Sequence, residues 1–194
     1  MNNVKIEKLW KQILKEIGEN PDREGLKETP KRIANMYEEI FRGYNKEQLP
    51  NVTVFNNGAD GLVYDQMIID TGDFYSQCEH HLVPFFGQYY FAYIPSPNGK
   101  VLGISKIARV VNYFSAKLQI QERLVTDVVE YLWKKLSVGG IEPIGMAIIM
   151  KGEHLCKTMR GVKKKGQMIT SIMKGEFRKN DVKNEFLSLV GNLK

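Results

Sequence analysis

A chain of 194 residues can bury a core of its own without disulfide staples, and it reads as one domain with an arm or at most two small domains. Its apolar residues never form a run near the ~18 needed to cross a bilayer, and MNNVKIEKLWKQILKEIGE mixes charge with apolar residues instead of forming a signal-peptide core. A net charge of +6 points to an anionic partner, either a phosphorylated small molecule or a nucleic acid.

In chain order, Val4, Ile6, Leu9, Trp10, Ile13, Leu14 and Ile17 recur at helical spacing and predict an amphipathic helix over 4–17, ended by Gly18 and Asn20-Pro21. Thr29-Pro30 predicts an N-cap followed by a proline at the first helical position. Ile33, Met36, Tyr37 and Ile40 form the apolar stripe of that second helix. The two helices make an N-terminal arm over 1–50, and the Gly-, Asn- and Pro-rich stretch 44–61 marks the boundary to a domain over 51–194.

A strand is expected over 67–70, then a turn holding Cys78-Glu79-His80-His81, then a strand over 88–94. Asn98-Gly99 predicts a hairpin turn returning through Val101-Leu102-Gly103-Ile104. Ser105 is expected to cap a helix carrying Ile107, Val110, Val111, Phe114 and Leu118, and a second helix runs over 121–136. A buried strand over 144–150 leads into His154 and Cys156; a strand over 169–173 and a terminal helix through 186–190 follow. Strand pairs separated by paired helices predict an α+β domain with a largely antiparallel sheet, not a doubly wound parallel one.

Every cysteine and histidine of the chain, two and three respectively, falls within 78–81 or 154–156. Cys78 and His81 stand three apart, as one tight turn can bring onto one ion; His154 and Cys156 stand two apart, on one face if both lie on a strand. Two thiolates and an imidazole suit Zn²⁺, and three protein ligands leave the fourth tetrahedral position to water, as in a catalytic site. A structural Cys₂His₂ site using Cys78, His81, His154 and Cys156 competes with that reading. So does a zinc-stabilised nucleic-acid-binding domain, because 151–179 holds nine Lys or Arg against two Glu. Cysteines placed as ligands fit a reducing compartment, so the cytoplasm is expected.

Ser105, Lys106 and Arg109 open a helix whose amides, dipole and cations suit a phosphate. Glu122 is either a favourable charge at a helix start or an acceptor for the N1–H and amino group of a guanine. Arg160 shares a face with His154 and Cys156 if the strand persists, and Lys163-Lys164-Lys165 reads as an exposed turn. No P-loop or Rossmann glycine pattern occurs in the chain.

The runs CEHHLVPFFG, GISKIARVV, LQIQERL, HLCKTMRGV and EFLSL, with NPDREGLKETPKRIANMYEEIF near the start, resemble the GTP cyclohydrolase I family over nearly the whole chain. The resemblance implies the tunnelling fold (T-fold), in which the sheets of several subunits close into a barrel, and toroidal homodecamers with active sites at subunit interfaces. It implies zinc-dependent opening of the guanine imidazole ring of GTP at C8, yielding formate and 7,8-dihydroneopterin triphosphate, the first step of tetrahydrofolate or pterin biosynthesis. Carried over residue by residue, Cys78, His81 and Cys156 bind zinc, and His80 and His154 act in catalysis. Gln121 and Glu122 bind the guanine, while Ser105, Lys106, Arg109 and Arg160 hold the triphosphate. GTP is then the small-molecule substrate, with no nucleic-acid or membrane partner expected. The segment after MRGV, KKKGQMITS, is one residue shorter than the family's usual form and lacks the hydroxyl residues common before Thr170-Ser171.

Overall fold

The computed structural model describes residues 1–191, so 192–194, the end of the expected 51–194 domain, lie outside the described residues. The arm forms as two helices, α1 (Asn3–Glu16) and α2 (Thr29–Ile40), which meet where Trp10 and Tyr37 stand edge to face, ring centroids 6.3 Å apart. Thr29 is the first helical residue and not the cap; Glu28 holds that position with no side-chain bond to the first turn. Pro30 still lies in the first turn, where its missing N–H breaks no helical bond. Beyond α2 the Gly43 N–H donates to Ala116 O at 2.8 Å. A Cβ there would stand 2.4 Å from the Tyr113 carbonyl oxygen, so this close approach to Tyr113 and Ala116 requires glycine.

The stretch 44–61 is not all loop, because it contains β1 (Val54–Asn56). The strands β2 (Ile68–Cys78) and β3 (Pro84–Ile94) both run longer than expected. Asp70, Gly72 and Asp73 are poor strand formers, yet each is paired to β3, which overrides their propensity. Next come β4 (Lys100–Leu102), α3 (Ser105–Ser115), β5 (Leu118–Gln119), α4 (Gln121–Leu136) and β6 (Gly145–His154). The short α5 (Leu155–Thr158), β7 (Gln167–Gly175) and α6 (Asn180–Gly191) complete the fold.

Two expectations fail here. Asn98-Gly99 does turn, with the Gly99 N–H donating to Ser96 O at 2.9 Å, but β4 pairs with β1 and not with β3. Both edges of β3 are already taken by β2 and β6, which leaves no edge for a hairpin. Ser105 starts α3 inside the helix, and no side chain caps it.

The main sheet has the order β5-β2-β3-β6-β7, antiparallel throughout except for the β2–β5 pair. On one face, Ile107, Val110 and Val111 of α3 and Leu124, Val128 and Leu132 of α4 pack on Phe74, Tyr89, Phe91, Ile148 and Met150. On the other, Phe186 and Val190 of α6 and Phe177 cover Tyr90, Ala92, Ala147 and Ile149. β3 and β6 are therefore buried on both faces, which explains their near-continuous apolar runs. The architecture is the expected α+β class: an antiparallel sheet with paired helices, preceded by a helical arm. Among the described residues, no strand lies outside β7 or outside β2 before Gln77.

Leu132 is fully buried between α4 and the sheet. Leu132→Ala is expected to cost about 2–5 kcal/mol, from lost transfer energy and the cavity left behind. Denaturant midpoints at one fixed protein concentration measure it, and a loss below about 1 kcal/mol would show that α4 repacks freely.

Candidate active site at the rim of the sheet

β3 registers Pro84 against Gln77 of β2 and Phe85 against His154 of β6, so the ends of β2 and β6 meet at one rim. The turn between β2 and β3 is closed by two backbone bonds, Cys78 N–H to Val83 O at 2.9 Å and Leu82 N–H to Cys78 O at 2.8 Å. Leu82 takes a left-handed φ of 54°, which tightens the turn at a steric cost. Glu79 ties this turn to α4: its N–H donates to Gln119 O at 3.1 Å, and its carboxylate pairs with Arg123. Across the rim, β6 stops at His154 and the chain winds into α5, so Cys156 is offered from a helical turn and not from a strand. Arg160 lies beyond α5 and is exposed; strand register does not place it, though its charge still acts on the Cys156 thiol.

The Cys78 and Cys156 sulfurs and a ring nitrogen of His81 all lie within 4.8 Å of one another. The Cys78 Sγ to His81 Nδ1 distance is 4.0 Å, against about 3.6 Å for a thiolate and an imidazole sharing a tetrahedral zinc. The donor set and spacing therefore fit a metal ion with little closure. Burial pushes the Cys156 thiol pKa up, and the adjacent Cys78 raises it further. His80 is as near to Cys78, with its Nδ1 4.0 Å from Cys78 Sγ, but it does not belong to the trio; its Nε2 is 3.9 Å from a Glu79 oxygen and its side chain is exposed.

His154 stands outside that trio. Its Nε2 lies 2.9 Å from Gln121 Oε1, and its ring stacks on Phe85 with centroids 4.5 Å apart and planes 7° from parallel. Burial lowers its pKa; the Glu122 carboxylate opposes that shift and Lys157 adds to it. Gln121 and Glu122, adjacent in sequence and expected to act as one pair, face opposite ways: Gln121 is fully buried and Glu122 is exposed. The inward turn of Gln121 has a signal that the pairing with Glu122 obscures, since Gln121, Leu124, Val125 and Val128 follow the spacing of the buried stripe. Phe85 as the platform for His154 has no local signal, since only strand register creates that contact. A cavity of about 380 Å³ opens beside His154, Cys156 and Lys157, bounded by Gly166, Gln167 and Met168 of the β7 approach.

Ser105, Lys106 and Arg109 are not part of this rim. The far end of α3 lies near Cys78, because Ser115 O accepts from Ser76 Oγ at 2.8 Å. Ile104 and Ile107, at its beginning, line a cavity with Ile68, Ile69 and Asp70, where β2 starts. A strand running from 68 to 78 spans roughly 33 Å, so the basic helix start and the thiols occupy opposite ends of the sheet. Within one chain the fold gathers Cys78, His80, His81, Gln121, Glu122, His154, Cys156 and Arg160, and leaves Ser105, Lys106 and Arg109 apart.

Hydrolysis is the chemistry such a rim supports, with an imidazole placed for proton transfer next to donors that can hold a metal. The chain belongs to the GTP cyclohydrolase I family, whose profile matches residues 6–191, and it is a hydrolase of that family. It is 46% identical over 195 residues to the GTP cyclohydrolase 1 of Listeria monocytogenes, covering 98% of this chain and 97% of that protein. It is 43% identical over 187 residues to the GTP cyclohydrolase 1 of Dehalococcoides mccartyi, covering 95% of each. Among the described residues no helix is long and apolar enough to cross a membrane.

The left-handed Leu82 suggests a direct test of the turn. Leu82→Val puts a β-branched side chain at a φ where even Leu is strained and is expected to lower the thermal midpoint. An unchanged midpoint would mean that the turn relaxes to another conformation.

Proposed function

We propose that the chain opens the guanine imidazole ring of GTP at C8 in a zinc-dependent hydrolysis, releasing formate and yielding 7,8-dihydroneopterin triphosphate. This would be the first step of tetrahydrofolate or pterin biosynthesis, carried out in the cytoplasm. The observation that carries the reading is the Cys78–His81–Cys156 cluster standing beside a separately held His154. Cys78, His81 and Cys156 would hold the ion, and a zinc ion bound there supplies a Lewis acid that brings the pKa of water to about 7.

The remaining steps belong to the protein. His154 donates a proton to guanine N7, which must accept electrons as water adds at C8; its pKa, lowered by burial, favours release of that proton. His80, exposed on the turn, assists proton transfer at the guanine ring or the ribose. Glu122, exposed and electrostatically coupled to His154, accepts hydrogen bonds from the guanine N1–H and amino group, with Gln121 buried behind it. Ser105, Lys106, Arg109 and Arg160 hold the triphosphate through a helix start and three cations.

Because Ser105, Lys106 and Arg109 stand at the far end of the sheet, they would serve the rim of a neighbouring chain in a homo-oligomer, a decamer by family resemblance. The free edges of β2 and β7 support that assembly, as do the exposed Val4, Leu9, Ile13 and Ile17 along the arm. In this arrangement residues 1–50 act as an arm and 51 onward as the catalytic domain.

Two measurements test the assignment. His154→Ala is expected to keep its zinc and lose about 10²–10⁴-fold in turnover, the usual contribution of a placed acid or base. His81→Ala, Cys78→Ser and Cys156→Ser are expected to lose zinc and turnover together, with metal content and GTP turnover read on the same preparations. Equal zinc loss in the two histidine variants would point to the Cys₂His₂ site instead. For the base, Glu122→Gln turns an acceptor into a donor facing a guanine donor, with an expected loss of about 2–4 kcal/mol in kcat/KM for GTP. Near-normal activity would reduce Glu122 to a favourable charge at a helix start.

A further inference from the structure

Gln121 is an amide in an otherwise apolar stripe, and its side chain is fully enclosed. Its Nε2 lies 3.0 Å from Met150 O, 3.1 Å from Met168 O and 3.0 Å from Thr170 Oγ1, so the carboxamide joins the first turn of α4 to both β6 and β7. Backbone carbonyls only accept, which settles the orientation of the amide. Flipped, it would press its own oxygen against two carbonyl oxygens inside the protein. Oε1 therefore faces His154 Nε2, 2.9 Å away. An amide oxygen cannot donate, so that ring nitrogen must carry a proton.

Gly152 supplies independent support. A Cβ at that position would stand 2.4 Å from Gln121 Oε1, so β6 keeps a bare backbone where the amide oxygen lies. The Phe85 ring, parallel to His154 at 4.5 Å, holds the plane in which the hydrogen bond is made.

We propose that Gln121 is a positioning residue that fixes the tautomer of His154, with Nε2–H bound to the amide and Nδ1 left as the nitrogen that exchanges a proton with the substrate. The bond survives that exchange, since Nε2 donates to Oε1 in the neutral ring and in the imidazolium alike. No amide rotation accompanies the proton transfer, and the site is organised beforehand. Gln121 thus acts through His154, while contact with guanine falls to its exposed neighbour Glu122. The catalytic part of this proposal rests on His154 being the proton donor; the tautomer does not.

The test is nitrogen NMR on the metal-loaded full chain labelled with ¹⁵N-histidine. Only three histidines contribute, and His154→Ala identifies its signal. At roughly pH 8.5, well above the ordinary imidazole pKa, wild-type His154 is expected to show the Nε2–H form alone. Gln121→Leu should shift the signal toward a mixture of tautomers and lower kcat about 10–100-fold, as loss of a hydrogen bond orienting a site histidine does, with KM for GTP nearly unchanged. Gly152→Ala, which displaces the amide while Gln121 is intact, should move both readouts the same way. An Nδ1–H form in the wild type overturns the proposal without any variant having to fold. A raised KM with kcat and tautomer unchanged in Gln121→Leu overturns it in favour of a direct guanine contact. If His154→Ala keeps full turnover, the proton-donor reading fails, and the wild-type spectrum still decides the tautomer.

Discussion

The pairing of β3 with β2 on one edge and β6 on the other is the constraint from which the rest of this structure follows. A strand buried on both faces has little freedom of register, because a slip by one residue would exchange Tyr89 and Phe91 with Tyr90 and Ala92 across two differently shaped cores. Once that register holds, the last residue of β2, Cys78, and the residues just past β6 are forced to one rim. Two cysteines far apart in the chain thereby reach one another without any local attraction of their own.

That rim is built at three depths. The Cys78 thiol belongs to the helix-covered core, and its burial gives the cluster a fixed side. Above it, the turn at 79–83 is held by backbone bonds and by the Glu79–Arg123 pair, so His81 comes from a braced loop. From the opposite side, the buried Gln121 amide reaches His154 through the packing of α4 on β6 and β7. The thiols and the imidazole share supports: Cys156 follows His154 by two residues off β6, and α4 braces both the 79–83 turn, through Arg123, and His154, through Gln121.

In the proposed function the rim is half of a site. One face of the chemistry is assembled within the chain, while the cationic start of α3 is carried to the opposite end of the sheet. An antiparallel sheet with free edges on both sides can bring these ends together only by adding neighbouring copies, so in the proposed function assembly and catalysis are one problem.

Much of this is legible in the amino-acid sequence itself. Helical periodicity locates α1, α3 and α4 closely, and the apolar runs mark the centres of β3 and β6, because these signals depend on local spacing alone. The gathering of all cysteines and histidines into 78–81 and 154–156 names the residues that the rim brings together, and the matched motifs name the family. What only the tertiary structure decided is who pairs with whom. It extended β2 past Asp70 through Gly72 and Asp73, because their partners lie on β3. It sent β4 to β1, because no edge of β3 was free. It lifted Cys156 off the strand onto α5, and it split Gln121 from Glu122 between core and solvent. Each of these depends on contacts between residues distant in the chain, and such contacts leave no mark in the local pattern of either partner.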